Sequence, residues 1–171
     1  SGTRELLFGD RTALAGPVET VWPDRMASLS SGPEPACIET ARHSTREPEP
    51  EIVPALAGLD AGTWSGRALD DVAVEDPDGV RAWLTDPTAS PHGGESLAAL
   101  VRRVGGYCDD RDWPHGRNVA VVAPLVAKAM AVHALGASPA VIFRLDLAPL
   151  SQVGLSRQSS GWRLGQLGPG R

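Results

Sequence analysis

A short apolar segment, residues 118–122, constrains the fold of this chain more than any other feature. Asn118 begins it, every later position is apolar, and polar turn residues flank it, which is typical of a strand buried on both faces. A helix is predicted directly afterwards, with Pro124 near its first position, where a missing N–H costs nothing, and Gly136 as a left-handed C-cap. Together with the alternation of strands and helices in the rest of the chain, this unit predicts an α/β fold with a layered sheet.

Further segments extend this alternation of strands and helices. Apolar residues at three- and four-residue steps predict the clearest helix over residues 95–108, and shorter helices are predicted over 37–44 and 78–84. Ser, Gly and Pro in residues 30–35 and three glycines in residues 54–67 predict loops. The remaining strands are predicted at residues 4–8, 26–29, 141–147, 152–155 and 162–167. With no internal repeat, we expect one domain over residues 1–167 and a loose tail at 168–171.

Several motifs, in one order along the chain, carry a family resemblance. Residues 56–67, L-A-G-L-D-A-G-T-W-S-G-R, resemble the L-x-E-x-D-x-G-x-W-x-G-R segment of histidine phosphatases, the phosphoglycerate mutase-like superfamily. Residues 91–97, P-H-G-G-E-S-L, resemble that family's P-x-G-G-E-S-L. Weaker similarities to the family follow at residues 37–41, 144–151 and 161–164. The resemblance implies the family's fold, an α/β three-layer sandwich with a mostly parallel central sheet. It also implies a shortened first strand–helix unit, because the stretch between Phe8 and Met26 is short, or else a chain that lacks the true first strand.

The resemblance also implies which residues should carry the chemistry. Members of the family form a phosphohistidine in a pocket of two histidines, two arginines and an acid that protonates the leaving group, and they need no metal or cofactor. In this chain the acid falls on Gly58, one arginine on Ala36, and the second histidine on Ala123 or Pro124. The loop expected to carry the first histidine, residues 9–12, has an arginine but no histidine. The resemblance therefore implies a degenerate member that lacks the catalytic histidines.

Other side chains could still face the former phosphate pocket. Asp10 and Arg11 would lie at the end of the first strand, where open α/β sheets bind ligands, or would form a solvated local pair. His92 and Glu95 precede a helix N-terminus, which attracts anions, although a solvated histidine and a helix-start glutamate are the plainer interpretations. The complete set of candidate pocket residues is Asp10, Arg11, His43, Trp64, His92, Glu95, Pro124 and Leu125.

The roles expected for the rest of that set are mostly structural. His43 lies at a predicted helix end, where a cation suits the helix dipole. Trp64 is expected to pack beneath the pocket rim. Pro124 and Leu125, beside the small residues that replace the family's polar ones, would make the pocket larger and more apolar. His133 is expected to be a neutral, hydrogen-bonded histidine at a helix–sheet interface.

Composition excludes several classes of function. The net charge is −5, which gives no basic footprint for nucleic acid or an anionic membrane surface. The only cysteines, Cys37 and Cys108, are isolated, so we expect reduced thiols rather than a disulfide framework or a zinc site. No apolar run approaches the roughly 20 residues of a membrane span, and no charged-then-apolar leader is present. We therefore expect a cytoplasmic protein.

Three functions remain open at this point. The first is a pseudophosphatase that binds a small organic or anionic ligand, or a protein partner, without the family's chemistry. The second is an enzyme of small-molecule or natural-product metabolism that runs another reaction in the remodelled pocket. The third is a residual phosphatase that uses an unrecognised histidine such as His43 or His92. A homodimer is compatible with each of them.

Overall fold

The computed structural model describes residues 26–44, 49–148 and 151–169. Its centre is a parallel sheet in which strand β1 (Ser28–Ser31) pairs with β2 (Glu51–Ile52) on one side and β3 (Asn118–Val121) on the other. The predicted α/β fold with a mostly parallel central sheet is confirmed. The predicted strand 4–8, the shortened first unit and the candidates Asp10 and Arg11 lie outside the described residues.

Helices and one hairpin surround this sheet. A hairpin, β4 (Ser151–Gln158) with β5 (Gly161–Pro169), packs against α5. β5 extends two residues into the segment expected to be a loose tail. Where the structure describes the chain, three 3-10 turns cover Pro54–Leu56, Gly62–Trp64 and Pro139–Arg144. The α-helices of the described residues are α1 (Pro35–Ser44), α2 (Leu69–Glu75), α3 (Pro77–Thr85), α4 (Leu97–Asp110) and α5 (Pro124–Ala134).

The core lies between α4, α5 and the 3-10 turns. Leu100 and Val104 on α4, Val126 and Val132 on α5, and Ile142 in the last 3-10 turn are all fully buried. Burial of an aliphatic side chain of this size contributes about 1.5–3 kcal/mol, so the predicted periodicity of α4 identifies a main source of stability. The C-cap of α5 is confirmed, because Gly136 has a φ of 58°. Both cysteines are buried, and neither forms a disulfide bond within the described residues.

The predicted strand at 141–147 is wrong, because Pro139–Arg144 form a 3-10 turn and residues 145–147 belong to no strand. Ser138 caps the turn by accepting a hydrogen bond from the Ala140 N–H, and Pro139 fixes φ at its first position. Ile142 is then buried against the helices. The apolar residues at 141–143 therefore reflect burial of a turn.

Two other strands differ from prediction. β1 begins two residues later than predicted and includes Ser30 and Ser31, which were expected in a turn. Both serines are fully buried, and the Ser30 hydroxyl accepts a hydrogen bond from Tyr107 Oη at 3.1 Å. β3 is half-buried rather than buried, and it lies at the end of the strand order β2-β1-β3 among the described residues.

Helix α2 was not predicted from the sequence. It has two aspartates in its first turn, which suits the positive end of a helix dipole, and it buries Val72. Asp76 ends α2 and caps α3, because its carboxylate accepts a hydrogen bond from the Gly79 N–H at 2.9 Å. Pro77 follows at the first position of α3. The Asp-Pro pair was the signal for a second helix start directly after α2.

Candidate functional site

The carboxyl ends of β1 and β3 meet at one edge of the sheet, and two chain segments leave it there. β1 continues through Gly32 into α1, and β3 continues through Ala123 into α5. The Gly32 N–H donates to the Val121 carbonyl at 2.9 Å, which holds the two segments together. A Cβ on Gly58 would lie 3.9 Å from the Ala123 Cβ. The positions that the resemblance assigns to the acid and the second histidine are therefore neighbours, and neither carries a reactive group.

A carboxylate from another position lies at this edge. Glu34 Oε1 accepts a hydrogen bond from the Gly58 N–H at 2.5 Å. Glu34 Oε2 has no solvent contact and no hydrogen-bond partner. A Cβ on Gly58 would stand 3.2 Å from Oε1, and a Cβ on Gly32 would stand 2.5 Å from Oε2. The two glycines thus leave the space that the Glu34 carboxylate occupies.

Arg103 on α4 holds the loop that contains Gly58. Its Nε and Nη2 donate to Glu95 Oε1 and Oε2 at 2.8 and 2.7 Å. Its Nη1 donates to the carbonyls of Ala55 and Ala57 at 2.8 and 2.9 Å, and Nη2 also donates to the Gly58 carbonyl at 3.3 Å. All five N–H groups of the guanidinium are used, so Arg103 is a positioning residue with no donor left for a ligand.

The loop around Gly58 and the loop before α4 pack backbone to backbone. The Glu95 N–H donates to the Asp60 carbonyl at 2.7 Å. A Cβ on Gly94 would overlap that carbonyl, and a Cβ on Gly62 would overlap the His92 carbonyl. Gly62 also has a φ of 48°, in the region that favours glycine. The glycines of both loops are therefore needed for this close approach.

An open depression of about 400 Å³ lies over the junction of these loops. Its walls are mostly backbone and small side chains, and its charged residues are Asp60, Glu95 and Arg103. Glu95 is neutralised by Arg103, whereas Asp60 is exposed and has no ion pair within the described ranges. Its lining residues are Pro54, Ala57, Gly58, Asp60, Gly93, Gly94, Glu95 and Arg103.

His92 is buried, which corrects the solvated histidine expected from the sequence. Its ring lies 5.0 Å from the Trp64 ring and 6.4 Å from the Trp83 ring, with only 1% of the residue exposed. Nδ1 accepts a hydrogen bond from the Gly94 N–H at 3.0 Å, so the proton of the neutral ring lies on Nε2, which is buried without a partner. Burial lowers the pKa of His92, and the negative charge of Asp60 opposes this shift.

The neutral His92 ring has no nitrogen available for nucleophilic attack. The lone pair of Nδ1 is engaged by Gly94, and Nε2 carries the proton inside the aromatic cluster. Trp64 completes this cluster, since it is buried and its ring lies 6.1 Å from that of Trp83. His92 and Trp64 therefore act together as packing residues beneath the loops.

The other three histidines lie away from the carboxyl edge. His43 is exposed on the last turn of α1, roughly 12 Å along the axis from the helix start, and its Nδ1 contacts the Glu39 carbonyl at 2.8 Å. His115 is exposed in the turn that precedes β3, at the opposite edge of the sheet. His133 Nε2 lies 3.1 Å from Asp109 Oδ2. His133 on α5 therefore lies at the interface with helix α4 and not, as expected, at an interface between a helix and the sheet.

The remaining predicted residues are only partly brought together. Glu95 lines the depression, whereas Pro124 is exposed at the start of α5, and Leu125 is half-buried against the core. Neither Pro124 nor Leu125 lines the depression. Within the described ranges, no helix is long and apolar enough to cross a membrane, and no group of acidic, His and Cys side chains is arranged for a metal ion.

Two residues that shape this edge were missed in the sequence, Glu34 and Arg103. Arg103 had a usable signal, since it follows Glu95 by eight residues, about two helical turns. Glu34 had a weaker one: it directly precedes a helix in a segment whose neighbours are Gly and Pro. Its contact with Gly58 joins residues 24 apart and could not be inferred from local pattern.

Comparisons with known proteins agree with this architecture. A family model described as the histidine phosphatase superfamily (branch 1) matches residues 13–168. A bifunctional protein of Mycobacterium tuberculosis is 32% identical over 139 residues, which cover 74% of this chain and 36% of that protein. The chain therefore spans about a third of the length of the curated relatives it matches first.

Solved structures are similar in fold at low sequence identity. The mycobacterial glucosyl-3-phosphoglycerate phosphatase superposes with a TM-score of 0.68 at 21% identity, over 85% of this chain and 78% of that one. The alpha-ribazole phosphatase from Shigella flexneri superposes with a TM-score of 0.67 at 20% identity, over 84% and 74%. At these identities the likeness establishes the fold alone.

Proposed function

The chain belongs to the histidine phosphatase superfamily (branch 1), and we propose that within it this protein is a pseudophosphatase. It binds a small ligand or a protein partner at the carboxyl edge of the sheet and forms no phosphohistidine. The observation that carries the proposal is the placement of the four histidines. Three lie away from this edge, and the fourth, His92, has its Nδ1 lone pair engaged by the Gly94 N–H.

The charge at this edge also supports a binding role. Phosphoryl transfer needs fixed positive charge on the phosphoryl oxygens and a proton donor in reach. Ala36 stands where the resemblance places an arginine, and the guanidinium of Arg103 is fully used within the protein. The carboxylate of Glu34 adds negative charge where the family binds an anion.

A phosphatase assay tests this proposal. The wild-type protein is incubated with p-nitrophenyl phosphate, beside His43→Ala and His92→Ala variants. We expect no release of p-nitrophenol above the blank from any of the three proteins. Release that disappears in one histidine variant while that variant stays folded would overturn the proposal.

A residual phosphatase is the second candidate, because the structures similar in fold include phosphatases. Release above the blank from the wild type that is lost in His43→Ala or His92→Ala would favour it, because this candidate uses one of these histidines. An enzyme that runs another reaction in this pocket is a third candidate. The Glu34 carboxylate supports this candidate, because it could serve as a general acid or base. Turnover of an organic compound by the wild type that is lost in Glu34→Gln would favour this candidate.

A further inference from the structure

We draw no further inference here: the strongest candidate, the exposed face of α2 on which Val74 lies beside Asp70, Asp71 and Glu75, is a cluster of acidic side chains around one apolar residue, and nothing in the part of the chain that the structure describes shows what covers it.

Discussion

Arg103 and Glu95 form a two-bond ion pair, with Nε to Oε1 at 2.8 Å and Nη2 to Oε2 at 2.7 Å. The same guanidinium donates to three carbonyls of the loop that carries Gly58. One side chain on α4 thus sets the position of the loop where the family's acid would stand. At the carboxyl edge of the sheet, the loop is therefore held through its backbone by a side chain from α4.

Because Arg103 holds the loop that carries Gly58, we expect Arg103→Met to lower the stability of the fold substantially. The substitution leaves the Glu95 carboxylate and three carbonyls without their donors, and we expect the free energy of unfolding to fall by about 2–4 kcal/mol. Urea denaturation measures this change. Arg102→Met, at the exposed neighbouring position, is the matched control and should cost little. Equal losses in the two variants would contradict the role assigned to Arg103.

We expect the stability of the fold to depend on pH because His92 is buried. Its pKa is lowered in the folded protein, so below the usual value of 6.5 the unfolded chain binds a proton that the folded chain resists. Its contribution to stability is therefore full above pH 6.5 and decreases as the pH falls below that value. Urea midpoints between pH 7.5 and 5.5 measure the slope.

Two variants separate His92 from the other titrating groups. His92→Asn keeps an acceptor near the Gly94 N–H and removes the titration, so its stability should depend less steeply on pH than that of the wild type. His115→Gln removes an exposed histidine and should leave the slope unchanged. The assignment fails if His92→Asn keeps the full wild-type slope.

We expect alanine substitutions at two adjacent glycines of α4 to change the stability of the fold in opposite directions. A Cβ on Gly105 would overlap the His133 ring, whereas a Cβ on Gly106 has only Asp110 Oδ2 nearby, at 3.7 Å. Gly105→Ala should therefore destabilise the fold by about 1–3 kcal/mol. Gly106→Ala should stabilise it by roughly 0.5–1 kcal/mol, since alanine is the better helix former. Thermal unfolding of both variants measures this difference, and the same sign for both would contradict the packing of α4 against α5.

The parts of the fold that follow local periodicity could be predicted from the sequence. The spacing of apolar residues identified α4, and the apolar run identified β3 together with the helix after it. The segment 141–147 differs from prediction because a short apolar segment also fits a buried turn, and only Ser138 and Pro139 distinguish the two. Local sequence pattern therefore predicts the regular elements, and it fails where a helix-type cap precedes a short apolar segment.

The site depended on contacts that no local pattern encodes. The Glu34 carboxylate is held by a hydrogen bond from the N–H of Gly58, 24 residues later in the chain. Arg103 donates hydrogen bonds to carbonyls more than 40 residues earlier in the chain. His92 lies in a loop of Pro and Gly, and its burial depends on the ring of Trp83, which belongs to a different helix. The resemblance predicts which of the family's groups are absent, and only the packing shows which side chains lie at those positions.

The most direct test of the central claim is a search for a phosphorylated histidine in a single turnover. The protein is mixed with a radiolabelled aryl phosphate, quenched in alkali, where phosphohistidine survives, and assayed for protein-bound label. With the lone pair of His92 engaged and the other three histidines away from the carboxyl edge, we expect no protein-bound label. Label that approaches one equivalent per chain and is released by acid would contradict the claim.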